Sequence, residues 1–198
     1  MSPIKRYLPP PVKEYVKKLP FSFSIDKLIK SWDYIADRNN FDHKGFKHNQ
    51  LALTSSIYEY DGKNIWYEGI GSMHYDINTN KKKIQLAEKD FIVFHPILKD
   101  TYFYEVYTEL STMYNLGRVR LMNFPPRVCL SWHKDENERI HIPIITNRGC
   151  HLVIQNSVHH LPADGSAYIA DVTVPHTAFN GGWENRYNLL IEVLGYKE

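Results

Sequence analysis

Beyond Gly117 the chain is interrupted at short, regular intervals by residues that turn a backbone: Pro125-Pro126, Asn147-Arg148-Gly149, Asp164-Gly165 and Asn180-Gly181-Gly182. The runs between them, 118–124, 128–133, 139–145, 151–155, 166–172 and 187–194, read as strands. Short strands at regular spacing with turn signals predict a sandwich or barrel. Abundant Tyr (14) and Phe (9) also favour sheet over helix. Neither an internal repeat nor a low-complexity tract competes with that reading.

The first half is less uniform. Ile25, Leu28, Ile29, Trp32, Ile35 and Ala36 form a helical stripe with Ser24 as N-cap and Asp26 in the first turn, predicting a helix that ends near Arg38-Asn39-Asn40. A second helix is predicted over 98–116, stopped by Gly117. Both would brace one sheet from outside. Pro3, Pro9, Pro10, Pro11 and Pro20 make residues 1–22 an extended arm that contributes packing. A polar loop over 42–50, a strand over 51–60, a hairpin turn at Asp61-Gly62 and a lysine-rich turn over 78–83 complete the expectation; 91–94 is an apolar run of undecided state. One domain over 1–198 is expected, with an arm (1–22), a helical and strand support region (23–116) and a β core (117–198).

Composition narrows the class. With 43% hydrophobic and 23% charged residues the chain is globular, and no apolar run is long enough to span a bilayer. The first residues have no apolar h-region, so the cytoplasm is the expected compartment. A net charge of +2 argues against nucleic acid as a partner, and the basic start (Lys5, Arg6, Lys13, Lys17, Lys18) reads as solvated. Cys129 and Cys150 lack a CxxC spacing and are expected as buried free thiols.

The chemistry concentrates in residues 131–143. His133 and Asp135 are two apart, so in a strand they project from one face while Lys134 points away. Two histidines and a carboxylate with open positions form the ligand set of non-haem Fe(II) oxygenases, so a second histidine is needed. If 178–183 turns as a hairpin centred on Gly181, His176 faces Arg186 across the pair. A guanidinium beside a metal ligand suits a chelating carboxylate, which Arg grips in bidentate fashion. Arg139 and His141 repeat the two-residue logic on the next strand, with Ile140 and Ile142 on its other face. Two inward arginines imply an anionic partner, either a protein carboxylate or a ligand, and with Fe(II) and Asp135 counted a dicarboxylate answers most of the positive excess.

Other residues read more plainly. Glu136 could stand in for Asp135 but has the wrong strand parity. The remaining histidines lack partners at a diagnostic spacing. Trp132, Trp183, Tyr168 and Phe179 are expected in the core, and Arg118, Arg120 and Arg127 in surface salt bridges, with pairing of one of them to a substrate carboxylate as the alternative.

These residues resemble the aspartyl/asparaginyl β-hydroxylase-like family of Fe(II)/2-oxoglutarate dioxygenases, whose relatives include enzymes hydroxylating proline. The likeness covers roughly 117–194 and rests on His133, Arg139-Ile140-His141 followed by Ile142-Pro143-Ile144, His176, and Arg186 ten residues later. It implies a mainly β, cupin-like jelly roll, the double-stranded β-helix, braced by N-terminal helices. It implies Fe(II), 2-oxoglutarate and O2, with His133, Asp135 and His176 on iron, Arg186 on the distal carboxylate, and Arg139 and His141 near the chelating end. Hydroxylation of an amino acid or amino-acid residue, Pro, Asp or Asn, would accompany conversion of 2-oxoglutarate to succinate and CO2. The partner would then be a small-molecule or peptidyl amino acid; oligomeric state is open. Asp135 places the chain with full-triad members, near the proline hydroxylases. Met122 stands where some members have a serine that helps hold the cosubstrate, a role Asn123 or Tyr168 could take over. The competing classes are a non-catalytic jelly-roll binding module and a cupin metalloenzyme that does not use 2-oxoglutarate.

Overall fold

The computed structural model describes residues 13–38, 50–56, 74–75, 82–84 and 88–198. In chain order the elements are β1 (Val16–Ser22), α1 (Ile25–Arg38), β2 (Gln50–Ala52), β3 (Thr54–Ser55), β4 (His74–Tyr75), β5 (Lys82–Ile84), a 3-10 turn (Glu88–Asp90), β6 (Val93–Phe94), a second 3-10 turn (Pro96–Leu98) and α2 (Tyr102–Leu110). The remainder is strand: β7 (Tyr114–Phe124), β8 (Val128–Cys129), β9 (Arg139–Ile145), β10 (Cys150–Ile154), β11 (Ser157–His159), β12 (Ser166–Ala170), β13 (His176–Asn180) and β14 (Arg186–Tyr196). The fold is a mainly β, cupin-like jelly roll. A six-stranded sheet in the order β1-β12-β9-β14-β7-β2 lies opposite a four-stranded sheet in the order β11-β10-β13-β8, every pairing antiparallel.

The six-stranded sheet separates two environments because successive side chains alternate in direction. Ile140, Ile142, Ile144, Leu189, Ile191 and Val193 join Leu28 and Ile35 of α1 and Phe103, Val106 and Leu110 of α2 in the main core. Full burial of each such side chain contributes about 1.5–3 kcal/mol. Residues of the opposite parity face the four-stranded sheet, where Leu152, Ile154, Ala170 and Val172 form a second, smaller cluster. The two helices cover the outside of the large sheet, as expected. Among the described residues no helix is long and apolar enough to cross a membrane.

Several expectations need correction. The second helix ends at Leu110, well before Gly117: Ser111 and Thr112 turn their hydroxyls onto the carbonyls of Tyr107 and Glu109, and Tyr114 already pairs with Tyr196 at the start of β7. Gly117 lies inside that strand, where an added Cβ would fall 2.3 Å from a Glu192 carboxylate oxygen. Residues 16–22 are the edge strand of the large sheet, and Pro20 sits within an irregular stretch of its pairing, as suits a residue without an N–H. Trp132 and Trp183 are 57% and 80% exposed, and Cys129 is exposed as well. Residues 1–12 of the arm, the hairpin at Asp61-Gly62 and most of the expected loop over 42–50 and turn over 78–83 lie outside the described residues.

Gly165 carries a conformation that other residues resist. Its φ is +85°, and a Cβ there would lie 2.1 Å from the Phe23 carbonyl oxygen, whose residue donates its own N–H to the Gly165 carbonyl at 2.7 Å. Gly165→Ala should lower stability by about 1–3 kcal/mol. Urea unfolding checks this as a lower midpoint at unchanged slope.

Candidate metal and anion site

His133 and His176 lie directly opposite one another. Their backbones exchange both hydrogen bonds, His133 N–H to His176 O at 3.0 Å and His176 N–H to His133 O at 2.9 Å. Their rings come within 4.2 Å, centroid to centroid. Asp135 follows on the same face, its N–H bonded to the Val172 carbonyl at 3.0 Å. One donor atom each from His133, Asp135 and His176 falls within 4.8 Å of the others.

The main chain also selects which nitrogen of each imidazole is free. His133 Nδ1 lies 2.8 Å from the Ser131 carbonyl oxygen and His176 Nδ1 3.1 Å from that of Val174. A carbonyl only accepts, so Nδ1 carries the proton in each neutral ring and Nε2 keeps the lone pair. Burial, together with the neighbouring His133 ring, lowers the His176 pKa against the opposing pull of the Val174 bond, which keeps that ring available as a ligand. The fixed tautomers are what metal-binding histidines require.

These donors open onto a cavity of about 280 Å³ between the two sheets. Arg139, His141, Arg186 and Asn188 line its large-sheet side, with Leu152 and Ala178 opposite. Arg186 is 7% exposed, and no hydrogen bond or ion pair reaches its guanidinium among the described residues; its Nε is fully buried without a partner. Burial lowers its pKa, with only the Cys150 thiol nearby to oppose that. An uncompensated buried guanidinium is costly, and an anionic ligand resolves the cost.

Arg186 therefore belongs to the cavity, but not through the predicted hairpin. His176 is on the four-stranded sheet with Ile154 opposite, whereas Arg186 is on the six-stranded sheet with Phe124 opposite. The sheets meet face to face, and the residue across from His176 is His133. Of the two partners open to Arg139, the structure supplies protein carboxylates: its Nε bonds Asp135 at 3.1 Å and its Nη2 contacts Glu88, so its charge is compensated within the chain. Arg118 and Arg120, read as surface residues, are buried against the same Glu88 at 3.2 and 3.3 Å. Arg127 stacks over exposed Trp183 at 3.8 Å from its ring centre.

Asn188 escaped the sequence reading, although it stands two residues from Arg186 on the same strand face. Its amide lies 3.4 Å from His141 Nδ1. Met122 does line the cavity; Asn123 and Tyr168 do not, which leaves Asn188 as the polar group beside Met122 across the β14–β7 pair. Glu88 and Gln50, also in the lining, carried no local sequence signal.

His141 is a neutral base held in a cationic setting. Burial first, then the Arg186 and Arg139 charges and His176, keep its pKa well below the usual 6.5. Above pH 6.5 neither folded nor unfolded chain protonates this ring. Below it the unfolded chain gains a proton that the folded one refuses, so stability falls with pH, by at most about 1.4 kcal/mol per unit from this residue. His141→Gln should flatten that part of the profile, measurable as urea midpoint against pH.

No curated protein matches the chain in sequence. Its fold is similar to that of the viral collagen prolyl hydroxylase of Paramecium Bursaria Chlorella virus-1, at 10% identity and TM-score 0.52 over 98% of each chain. Partial likenesses include a 2OG-Fe(II) oxygenase family oxidoreductase of Burkholderia pseudomallei (15% identity, TM-score 0.36, 40% of this chain and 44% of that one). Another is a cupin domain of Bordetella pertussis Tohama I (21% identity, TM-score 0.35, 40% of this chain and 82% of that one). The model of the aspartyl/asparaginyl β-hydroxylases matches residues 99–195, which contain His133, Asp135, Arg139, His141, His176 and Arg186, and over that segment the chain is similar to the aspartyl/asparaginyl β-hydroxylase family.

Proposed function

We propose that the chain is an Fe(II)- and 2-oxoglutarate-dependent dioxygenase that hydroxylates a C–H bond of an amino acid or amino-acid residue, with Pro, Asp and Asn as the candidates. The observation that carries the reading is Arg186: a buried cation without a counter-ion among the described residues, on the wall of the cavity that holds the three-donor cluster. A cupin-type metal site without a dicarboxylate ligand has no use for that charge, and a binding module has no use for the donor cluster.

The residues fit the group. Two Nε2 lone pairs and a carboxylate offer a mixed nitrogen and oxygen set with room for further ligands, which suits non-haem Fe(II). Bound iron, with 2-oxoglutarate and O2, supplies an oxidation in which the cosubstrate leaves as succinate and CO2 and one oxygen atom enters the substrate C–H bond. The protein's share is placement. Arg139 holds Asp135 through a charge-assisted bond, fixing the direction of the carboxylate. Arg186 would take the distal carboxylate in a two-pronged grip, with His141 and Asn188 beside it as neutral polar contacts. Apolar Leu152 and Ala178 on the facing sheet limit water in the same space.

Adding 2-oxoglutarate to the Fe(II)-loaded protein without oxygen should produce a visible charge-transfer band; a folded, metal-loaded protein that shows none refutes the dioxygenase reading. Arg186→Ala should weaken 2-oxoglutarate binding by about 2–5 kcal/mol, roughly 30- to 4,000-fold in Kd, with the fold retained by circular dichroism. Wild-type affinity in that variant would contradict the assignment.

A further inference from the structure

The cavity has a second cationic position, and the chain fills it itself. Glu88, on the 3-10 turn before the family-matched segment, places one carboxylate oxygen 3.2 Å from Arg118 Nη1 and 3.3 Å from Arg120 Nη2, while its other oxygen contacts Arg139. Arg120 is held from the other side by Gln50, Nη1 to Oε1 at 2.9 Å. Glu88, Arg120 and Arg139 all line the cavity, and Arg139 is bonded to Asp135 of the donor cluster. Three guanidiniums converging beside a metal site make a carboxylate seat.

This seat is separate from Arg186. Along β14 the residue opposite Arg120 is Leu190, and Arg186, which faces Phe124, lies four residues before Leu190. At the rise of a strand that is about 13 Å. One cation in the cavity thus has no counter-ion among the described residues, while the three at the far position converge on Glu88.

We infer that Glu88 is a built-in occupant of the substrate-side anion seat, so that the site selects amino-acid residues within a peptide chain, whose backbone is uncharged, over free amino acids. The inference rests on the dioxygenase reading for which end of the cavity receives substrate. A free α-carboxylate would have to displace Glu88, whose effective concentration is on the order of millimolar or higher because it belongs to the same chain. Displacement would also strand Glu88 in a buried position without its partners. With Glu88 in place the cluster is compensated, three guanidiniums against the carboxylates of Glu88, Asp135 and Glu192, the last held by the Asn137 amide at 2.8 Å. A further anion would meet like charges from Glu88 and Asp135. Because Glu88 lies outside residues 99–195, substrate choice would be set by a part of the chain that the family match does not cover.

Acetate is the probe for the seat, and it requires neither iron nor substrate. In the full chain, Glu88→Ala should gain an acetate-dependent rise in Tm of about 3–6 °C at ten times its Kd, well above any rise in wild type. Equal shifts in the two proteins would overturn the proposal, and a variant that folds only with acetate would support it. If Glu88→Ala folds in no anion, Glu88→Gln and wild type decide through succinate release. N-acetyl amides of L-proline, L-aspartate and L-asparagine are compared with the free amino acids. Wild type should release succinate at least tenfold faster with one capped form than with its free counterpart, and Glu88→Gln should narrow that ratio. A free amino acid that matches or exceeds its capped form sinks the idea, as does silence from every capped form while the charge-transfer band is present. Absence of the band instead removes the dioxygenase reading and leaves the acetate result standing by itself.

Discussion

Ile140, Ile142, Leu189 and Ile191 point to one side of the six-stranded sheet, and Arg139, His141, Arg186 and Asn188 to the other. That alternation decides what the cavity contains. The apolar side is covered by α1 and α2, and the energy of burying it holds the sheet in register, since a slip of one residue would send isoleucines into the cavity and arginines into the core. The charged groups are in place because the isoleucines between them are.

Placing guanidiniums inside a protein is expensive unless each finds an acceptor. Arg118, Arg120 and Arg139 find Glu88, whose pKa burial alone would raise and the three arginines together bring down. Burial pushes the Arg118 pKa down to about 9 and lowers that of Arg120 as well. Glu192, buried beside them, shifts upward, chiefly through burial. The metal donors sit at the edge of this network, joined to it through the bond between Asp135 and Arg139.

Much of this was legible in the chain itself. The strand spans 139–145 and 118–124 follow from alternation and turn residues; the strand expected over 128–133 ends at Cys129, and His133 and Asp135 share the donor cluster from beyond it, His133 through an isolated bridge to His176. His176 and Arg186 were reached through a hairpin that does not exist; both residues enter the cavity, from different sheets, because a jelly roll passes consecutive strands between its two sheets. The end of α2 was overestimated because Tyr114 and Leu116 continue its apolar spacing while sheet pairing claims them. Glu88 was invisible for a different reason. Its partners lie at least 30 residues away, and a single glutamate in a polar stretch shows nothing of the three arginines it meets. Asn188, by contrast, was within reach of the parity argument that found His141.

The segment matched to the family begins at residue 99, but the charges do not respect that boundary. Strands β1 and β2 are the two edges of the large sheet, and Glu88 is the shared counter-ion of Arg118, Arg120 and Arg139. A fragment cut at the family boundary would keep every metal donor, yet expose two sheet edges to other chains and leave three guanidiniums repelling one another beside the carboxylate they help to orient. The smallest unit able to hold this site is therefore larger than the unit that sequence kinship defines.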